Sequence, residues 1–150
     1  MYRIHKFFIG SIFLLTFLGI YYFDLNYKTI ASDGITVVSI VLAIYMTSFS
    51  SLISSDLAEK MKNRHDKKIP RKSQLGVLRS YLNTAVAFGI SNIVLSCLCL
   101  LLERYQKKTG KAFDIAYKFL SSAGGATLAV NLFLMFLLYK FMVNRQMWNK

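Results

Sequence analysis

The sequence predicts an all-α fold, an integral membrane four-helix bundle in which residues 1–150 form a single domain. Two observations predict it. Hydrophobic residues make up 55% of the chain, and more than half of the sequence lies in four long stretches without a charged residue. These stretches are Phe7–Phe23, Ile35–Ser55, Ser80–Leu102 and Phe119–Tyr139. A helix needs about 20 apolar residues to cross a bilayer, and a backbone without water must satisfy its own hydrogen bonds.

Each stretch is therefore expected to form one spanning helix. The predicted helices cover about residues 7–23, 35–55, 78–102 and 118–142. Tyrosines mark their ends, since Tyr21 and Tyr22 close the first helix, Tyr81 opens the third and Tyr139 ends the fourth. Amphipathic aromatic rings prefer the headgroup level of a membrane, so we interpret these tyrosines as interfacial anchors.

The longest polar segment is loop 56–77, between the second and third helices. Its first part, Asp56–Lys62, is rich in helix-forming residues and contains no breaker. We expect the second helix to continue through it for about two or three turns beyond the membrane. Pro70 ends any helix there, because its ring clashes with the preceding turn.

The distribution of basic residues predicts the orientation. With both termini in the cytoplasm, 13 of the 19 Lys and Arg residues lie on the cytoplasmic side, as the positive-inside rule requires. This orientation makes loop 56–77 cytoplasmic and predicts a multi-pass protein of the inner (cytoplasmic) membrane. Loop 103–118 is also basic and would face outward, either as an external basic patch or as a tolerated exception.

The formal net charge of +12 would suggest nucleic-acid binding in a soluble protein. In a membrane protein, basic loops set the topology and contact anionic lipid headgroups, so we expect lipid rather than nucleic acid as the partner. The candidate residues for binding lipid or a cytosolic partner protein are Lys60, Lys62, Arg64, Lys67, Lys68, Arg71 and Lys72.

The apolar stretches lack the groups that membrane catalysis and coupled transport need. They contain no charged residue, and both histidines, His5 and His65, lie in polar segments. Proton and ion relays use intramembrane carboxylates or histidines, and metal sites need clusters of ligands. Cys97 and Cys99 do not have the Cys-x-x-Cys spacing of a thiol oxidoreductase. The sequence predicts neither an enzyme nor a cofactor or metal site.

Small and hydroxyl-bearing residues recur at helical spacing in the last three stretches. Such residues let helices approach closely and form hydrogen bonds between them. The candidates for a helix-packing or pore-lining row are Ser39, Thr47, Ser51, Ser55, Gly89, Asn92, Ser96, Gly125 and Asn131. Packing inside one bundle explains any single row. The alternative is self-association around a polar axis, for which the second helix is the best candidate because hydroxyl groups surround Thr47–Ser55.

The layout of the chain resembles small four-helix membrane proteins of bacterial phage-defence and phage-exclusion systems. Examples are the RexB type of exclusion protein and the membrane subunit of Kiwa-type systems. The stretch from Gly34-Ile35-Thr36 to Ser55-Asp56-Leu57, followed by Gln74-Leu75-Gly76-Val77-Leu78, carries the likeness. The resemblance implies an oligomeric inner-membrane protein that depolarises the membrane or senses its perturbation, often together with a cytosolic partner. It implies no role for any individual residue.

Four functional hypotheses follow, of which the last is a carrier for a neutral solute; it would need broken helices at the midplane, and only Gly124-Gly125 hints at one. The first is a homo-oligomeric inner-membrane effector or sensor in antiphage defence, with a gated pore or a response to membrane perturbation. The second is a membrane anchor that recruits a cytosolic partner through its basic loop. The third is a holin-like lysis protein, which four spans and a short basic tail fit poorly.

Overall fold

The computed structural model describes residues 1–25, 27–65, 73–106 and 111–146. These residues form five helices: α1 (Arg3–Phe23), α2 (Lys28–Ile53), α3 (Asp56–Asn63), α4 (Gln74–Gln106) and α5 (Lys111–Gln146). All but α3 are long and apolar enough to cross a membrane. In the described part of the chain, the only β-type pairing is a bridge between His65 and Ser73. The prediction of an all-helical protein with four candidate spans is confirmed.

The helices extend beyond the apolar stretches that predicted them. α2 begins at Lys28 and so includes Asp33, while α4 and α5 both start and end outside their predicted ranges. Hydrophobicity marks the part of a helix that fits hydrocarbon, whereas the hydrogen-bonded helix continues until a residue stops it. At the end of α1 that residue is Asp24, whose left-handed backbone (φ 52°) is a common helix terminator.

The polar loop contains a helix where an extension was predicted, but this helix, α3, is separate from α2 and does not continue it. α2 ends at Ile53, and the chain turns at Ser54 and Ser55 before α3 begins. The Ser54 hydroxyl donates to the Ser51 carbonyl oxygen (3.0 Å) and the Ser55 hydroxyl donates to that of Leu52 (2.6 Å). Serine side chains that bond to the local backbone compete with helix continuation. The redirected α3 buries Ala58 and Met61 and packs on α4.

α4 and α5 form the centre of the bundle. α1 packs on α5, and α2 packs mainly on α4 with a smaller contact to α5. Among the described residues, α1 and α2 share no packed interface. The fully buried side chains include Val77 and Ala85 of α4 and Val130 and Leu134 of α5. The apolar core is therefore centred on the α4–α5 pair, and α1 and α2 pack against this pair.

α1 buries only Ile9 and is held at both of its ends by polar contacts. Near its start, the His5 Nδ1 and the Tyr81 hydroxyl of α4 share a hydrogen bond of 2.5 Å. After its end, Asp24 Oδ1 lies 3.0 Å from the Lys118 Nζ of α5. Tyr81 is buried, so the structure corrects its assignment as an interfacial anchor. Its ring instead closes the bundle against the first residues of the chain.

The outer surface of the helices is rich in large apolar side chains. Exposed examples are Phe7 and Leu15 of α1, Ile40 of α2, Ile90 of α4 and Phe136 of α5. Contiguous apolar surface of this extent is unfavourable in water and suits a hydrocarbon environment. Together with the four candidate spans, it indicates a multi-pass membrane protein.

The position of the core can be tested with two leucines of α5. Leu134 is 0% exposed and Leu132 is 44% exposed. Leu134→Ala leaves a cavity in the core, so we expect a loss of about 3 kcal/mol of unfolding free energy. Leu132→Ala should cost less than about 1 kcal/mol. Denaturant unfolding in detergent measures both, and equal losses would contradict the assignment of the core to the α4–α5 pair.

Candidate functional site

The structure separates the predicted row of small and polar residues into two groups. One group is buried between helices and consists of Gly89, Asn92, Ser96, Gly125 and Asn131. The other is exposed on the outside of the bundle and consists of Ser39, Thr47, Ser51 and Ser55. The buried group lies where packing between helices would place it, whereas the residues of the second apolar stretch are exposed to the surroundings of the bundle.

Asn92 of α4 is the centre of the buried group and is 0% exposed. Its Nδ2 lies 2.8 Å from the Gly124 carbonyl oxygen, 3.1 Å from the Thr127 Oγ1 and 3.1 Å from the Tyr27 hydroxyl oxygen. Thr127 also donates to the Gly124 carbonyl oxygen (2.8 Å). One amide thereby joins α4 to α5 and to the residue that precedes α2.

Tyr27 completes this group, and the sequence analysis missed it. It immediately precedes α2, is 2% exposed, and shares a hydrogen bond of 2.8 Å with Ser96 Oγ. A tyrosine at the end of an apolar stretch is typical of an interfacial anchor. No local sequence feature distinguishes an interfacial tyrosine from a tyrosine whose ring is buried in the bundle. We call Tyr27, Asn92, Ser96, Gly124 and Thr127 the Asn92 cluster.

Glycines create the space for the Tyr27 ring. A Cβ atom at Gly124 would lie 2.6 Å from the ring carbon Cε1, and one at Gly34 would lie 3.0 Å from the hydroxyl oxygen. A Cβ at Gly125 would meet the Ile20 side chain, also at close range. Small residues allow such close approach between helices. The glycines of α2 and α5 are therefore part of the same site as the tyrosine.

Asn131 of α5 forms a second buried contact. Its Nδ2 donates to the Ala85 carbonyl oxygen of α4 (3.1 Å) and lies 3.0 Å from where a Cβ atom of Gly89 would be. The Oδ1 atoms of Asn92 and Asn131 are both buried without a hydrogen-bond partner among the described residues. Unpaired polar atoms are costly in a low-dielectric interior, so these asparagines contribute specific pairing of helices rather than maximal stability.

The exposed group belongs to a longer row on α2. We define the hydroxyl stripe as the exposed Ser and Thr residues between positions 32 and 54, which are Ser32, Thr36, Ser39, Thr47, Ser50, Ser51 and Ser54. The stripe lies opposite the buried face formed by Ala31, Val38, Val41 and Tyr45. Ser55 falls beyond the end of α2 and lies outside the stripe.

Hydroxyl groups of the stripe bond back to their own helix. Thr36 donates to the Ser32 carbonyl oxygen (3.2 Å), Thr47 to that of Ala43 (2.9 Å) and Ser54 to that of Ser50 (3.2 Å). These bonds give each of the three hydroxyl groups an acceptor in a membrane, where water is absent. They also leave lone pairs of the hydroxyl oxygens facing outward.

Three of the basic candidates lie on α3 or directly after it. Lys60, Lys62 and Arg64 are exposed, while Ala58 and Met61 hold α3 against the core. The remaining candidates, Lys67, Lys68, Arg71 and Lys72, lie outside the described residues. The charges that the structure does describe are presented away from the bundle.

In the described part of the chain, no three His, Cys, Asp or Glu residues are placed to hold a metal ion. Comparison of the chain with protein-family models, curated proteins and solved structures gives no match. The features of the bundle that bear on function are the Asn92 cluster, the hydroxyl stripe and the charges of α3.

The role of Tyr27 can be tested by removing only its hydroxyl. Tyr27→Phe loses the hydrogen bonds to Ser96 and Asn92, so we expect a loss of about 1 kcal/mol of unfolding free energy. Tyr22→Phe is the matched control, because Tyr22 is exposed, and it should change little. Thermal or denaturant unfolding in detergent measures both variants. A Tyr27→Phe protein as stable as the parent would show that the cluster does not hold α2 in place.

Proposed function

We propose that the chain is a homo-oligomeric membrane effector or sensor of antiphage defence. In this proposal the hydroxyl stripes of several copies face a common axis and line a gated pore. The observation that carries the proposal is the position of the stripe on the outside of the bundle, opposite the packed face of α2. The defence role comes from the resemblance in layout and is part of the same proposal.

The composition of the stripe supports an interface between copies rather than contact with lipid. Other outward faces carry large apolar side chains such as Phe7 and Phe136, which suit hydrocarbon. The stripe is small and hydroxylated, and such surfaces favour close association of helices in membranes. Polar walls without charge also conduct ions once they are hydrated. From Gly34 to Ser55 the chain carries no charged residue.

The proposal places both termini in the cytoplasm and the protein in the inner membrane. The excess of basic residues in the first, middle and last polar segments supports this orientation. It puts the dense end of the stripe, Thr47–Ser54, near the inner leaflet. A constriction there would respond to changes at the cytoplasmic surface.

The stripe is tested by the double substitution Thr47→Leu/Ser51→Leu. Loss of two interhelical contacts of about 0.6 kcal/mol each should weaken association by roughly an order of magnitude, with normal membrane insertion. The measurements are the oligomer mass in detergent, conductance in planar bilayers, and protection of the host against phage. All three should fall.

The matched control is Asn83→Leu/Ser91→Leu, which removes two exposed polar side chains from α4 instead. It should retain the parent's mass, conductance and protection. A parent protein that is monomeric would contradict the proposal. So would a Thr47→Leu/Ser51→Leu variant that conducts and protects as well as the parent.

A specific observation also favours the second hypothesis, a membrane anchor for a cytosolic partner. α3 is held on α4 by its apolar side, so Lys60 and Lys62 are presented outward on an ordered helix. An acidic surface of a cytosolic protein would complement them. No comparable observation favours a holin-like lysis protein.

The anchor hypothesis predicts a different sensitivity from the pore hypothesis. Lys60→Gln/Lys62→Gln should remove a stoichiometric cytosolic protein that copurifies with the parent from its native host, and it should leave conductance unchanged. Arg3→Gln/Lys6→Gln neutralises two other exposed cations, at the start of α1, and serves as the control. Quantitative mass spectrometry of the purified complexes measures the partner. Equal amounts of the copurifying cytosolic protein with both variants would count against recruitment through α3.

A further inference from the structure

A cleft of about 160 Å³ lies between α2 and α5, with α4 as its floor. Its lining includes Ile44, Tyr45, Ser48, Leu78, Leu82 and Tyr139. Apart from a few polar atoms, the wall is apolar. The cleft lies toward the end of the bundle at which α2 finishes and α4 begins. It is distinct from both the Asn92 cluster and the hydroxyl stripe.

Tyr45 gives this cleft a feature that ordinary loose packing lacks. The side chain is 5% exposed, and its hydroxyl has no hydrogen-bond partner among the described residues. A buried hydroxyl without a partner is unfavourable, and such groups in folded proteins call for an explanation such as a missing ligand. Because Tyr45 lines the cleft, its hydroxyl is the polar group available to a molecule that enters there.

The position of the cleft determines what can occupy it. All of its lining residues belong to the candidate membrane spans, and Ile44 and Tyr139 on its rim are exposed. A cleft with an apolar wall and a rim in the spanning region opens to lipid. A cavity of about 150 Å³ accommodates a benzene-sized molecule, so this one suits a segment of an acyl chain.

Two basic residues at the same end of the bundle indicate that the headgroup of this lipid is anionic. Arg79 directly follows the lining residue Leu78, and Lys140 directly follows Tyr139. Both cations are exposed, and long basic side chains near helix ends reach the headgroup level. Anionic headgroups are attracted to such positions.

We propose that the cleft is a binding site for an anionic phospholipid. A segment of one acyl chain fills the space between α2 and α5, and a carbonyl oxygen of the lipid accepts a hydrogen bond from the Tyr45 hydroxyl. Arg79 and Lys140 face the headgroup. The site lies on a different face of α2 from the proposed pore.

The test uses the full chain, purified in detergent and stripped of lipid, with dioleoyl-phosphatidylglycerol as the probe. Native mass spectrometry counts bound lipid, and thermal unfolding measures the stabilisation. Ser48→Leu fills the cleft and should weaken binding at least about tenfold, because the added side chain occupies the space of the acyl segment. Ser91→Leu makes the same change on an exposed part of α4 and should bind as the parent does.

Tyr45→Phe separates the hydrogen bond from the shape of the cleft. It should weaken binding about fivefold and at the same time raise the unfolding temperature of the lipid-free protein, because the unpaired hydroxyl is gone. Dioleoyl-phosphatidylcholine has the same chains without net charge and should bind more weakly than the anionic probe.

Unchanged lipid binding in Ser48→Leu would overturn the site, and would leave water or a second copy of the chain as the occupant. Unchanged binding in Tyr45→Phe would overturn the hydrogen bond to the lipid. Equal binding of the two probe lipids would overturn the selection of an anionic headgroup.

Discussion

The hydrogen bonds of Asn92 to Tyr27, Gly124 and Thr127 are the interaction on which the arrangement of the helices depends. In hydrocarbon, apolar side chains gain little by leaving lipid for another helix, so polar contacts and close packing decide which faces meet. Tyr27 immediately precedes α2, and its buried ring fixes how that helix is rotated. Val38, Val41 and Tyr45 then point inward, and the hydroxyl stripe points outward. The proposed interface between copies is thus a consequence of a contact made inside one copy.

Much of the bundle could be predicted because a helix that crosses hydrocarbon needs about 20 apolar residues. Four long uncharged stretches predicted four helices, whereas the spacing of small and polar residues did not distinguish the buried Asn92 and Ser96 from the exposed Thr47. The turn at Ser54 and Ser55 could not be predicted from propensity, since the competing hydrogen bonds of the two hydroxyls become visible only in three dimensions. Tyr27 was missed for a related reason, because its role depends on Gly34 and Gly124, which lie far from each other in sequence.

The two ends of α2 are held by different forces. At the Tyr27 end, hydrogen bonds and glycine contacts join it to both α4 and α5. At the Tyr45 end, apolar packing against α4 leaves the cleft between α2 and α5. Hydrogen bonds depend strongly on geometry, whereas apolar contacts tolerate sliding. A tilt of α2 that keeps its hydrogen bonds must therefore pivot near Tyr27, and it would change the width of the cleft and the position of Thr47 together.

The chemistry of the stripe also limits what it can attract. The hydroxyl protons of Thr36, Thr47 and Ser54 are donated to carbonyl oxygens of their own helix. A hydroxyl carries one donor and two acceptor lone pairs, so each of these groups presents only acceptors outward. A row of acceptors without a nearby positive charge favours cations, or the N–H and O–H groups of another molecule, over anions. The basic residues of the chain lie outside the uncharged segment from Gly34 to Ser55. In the proposed assembly, these three hydroxyls would therefore turn oxygen lone pairs toward the common axis.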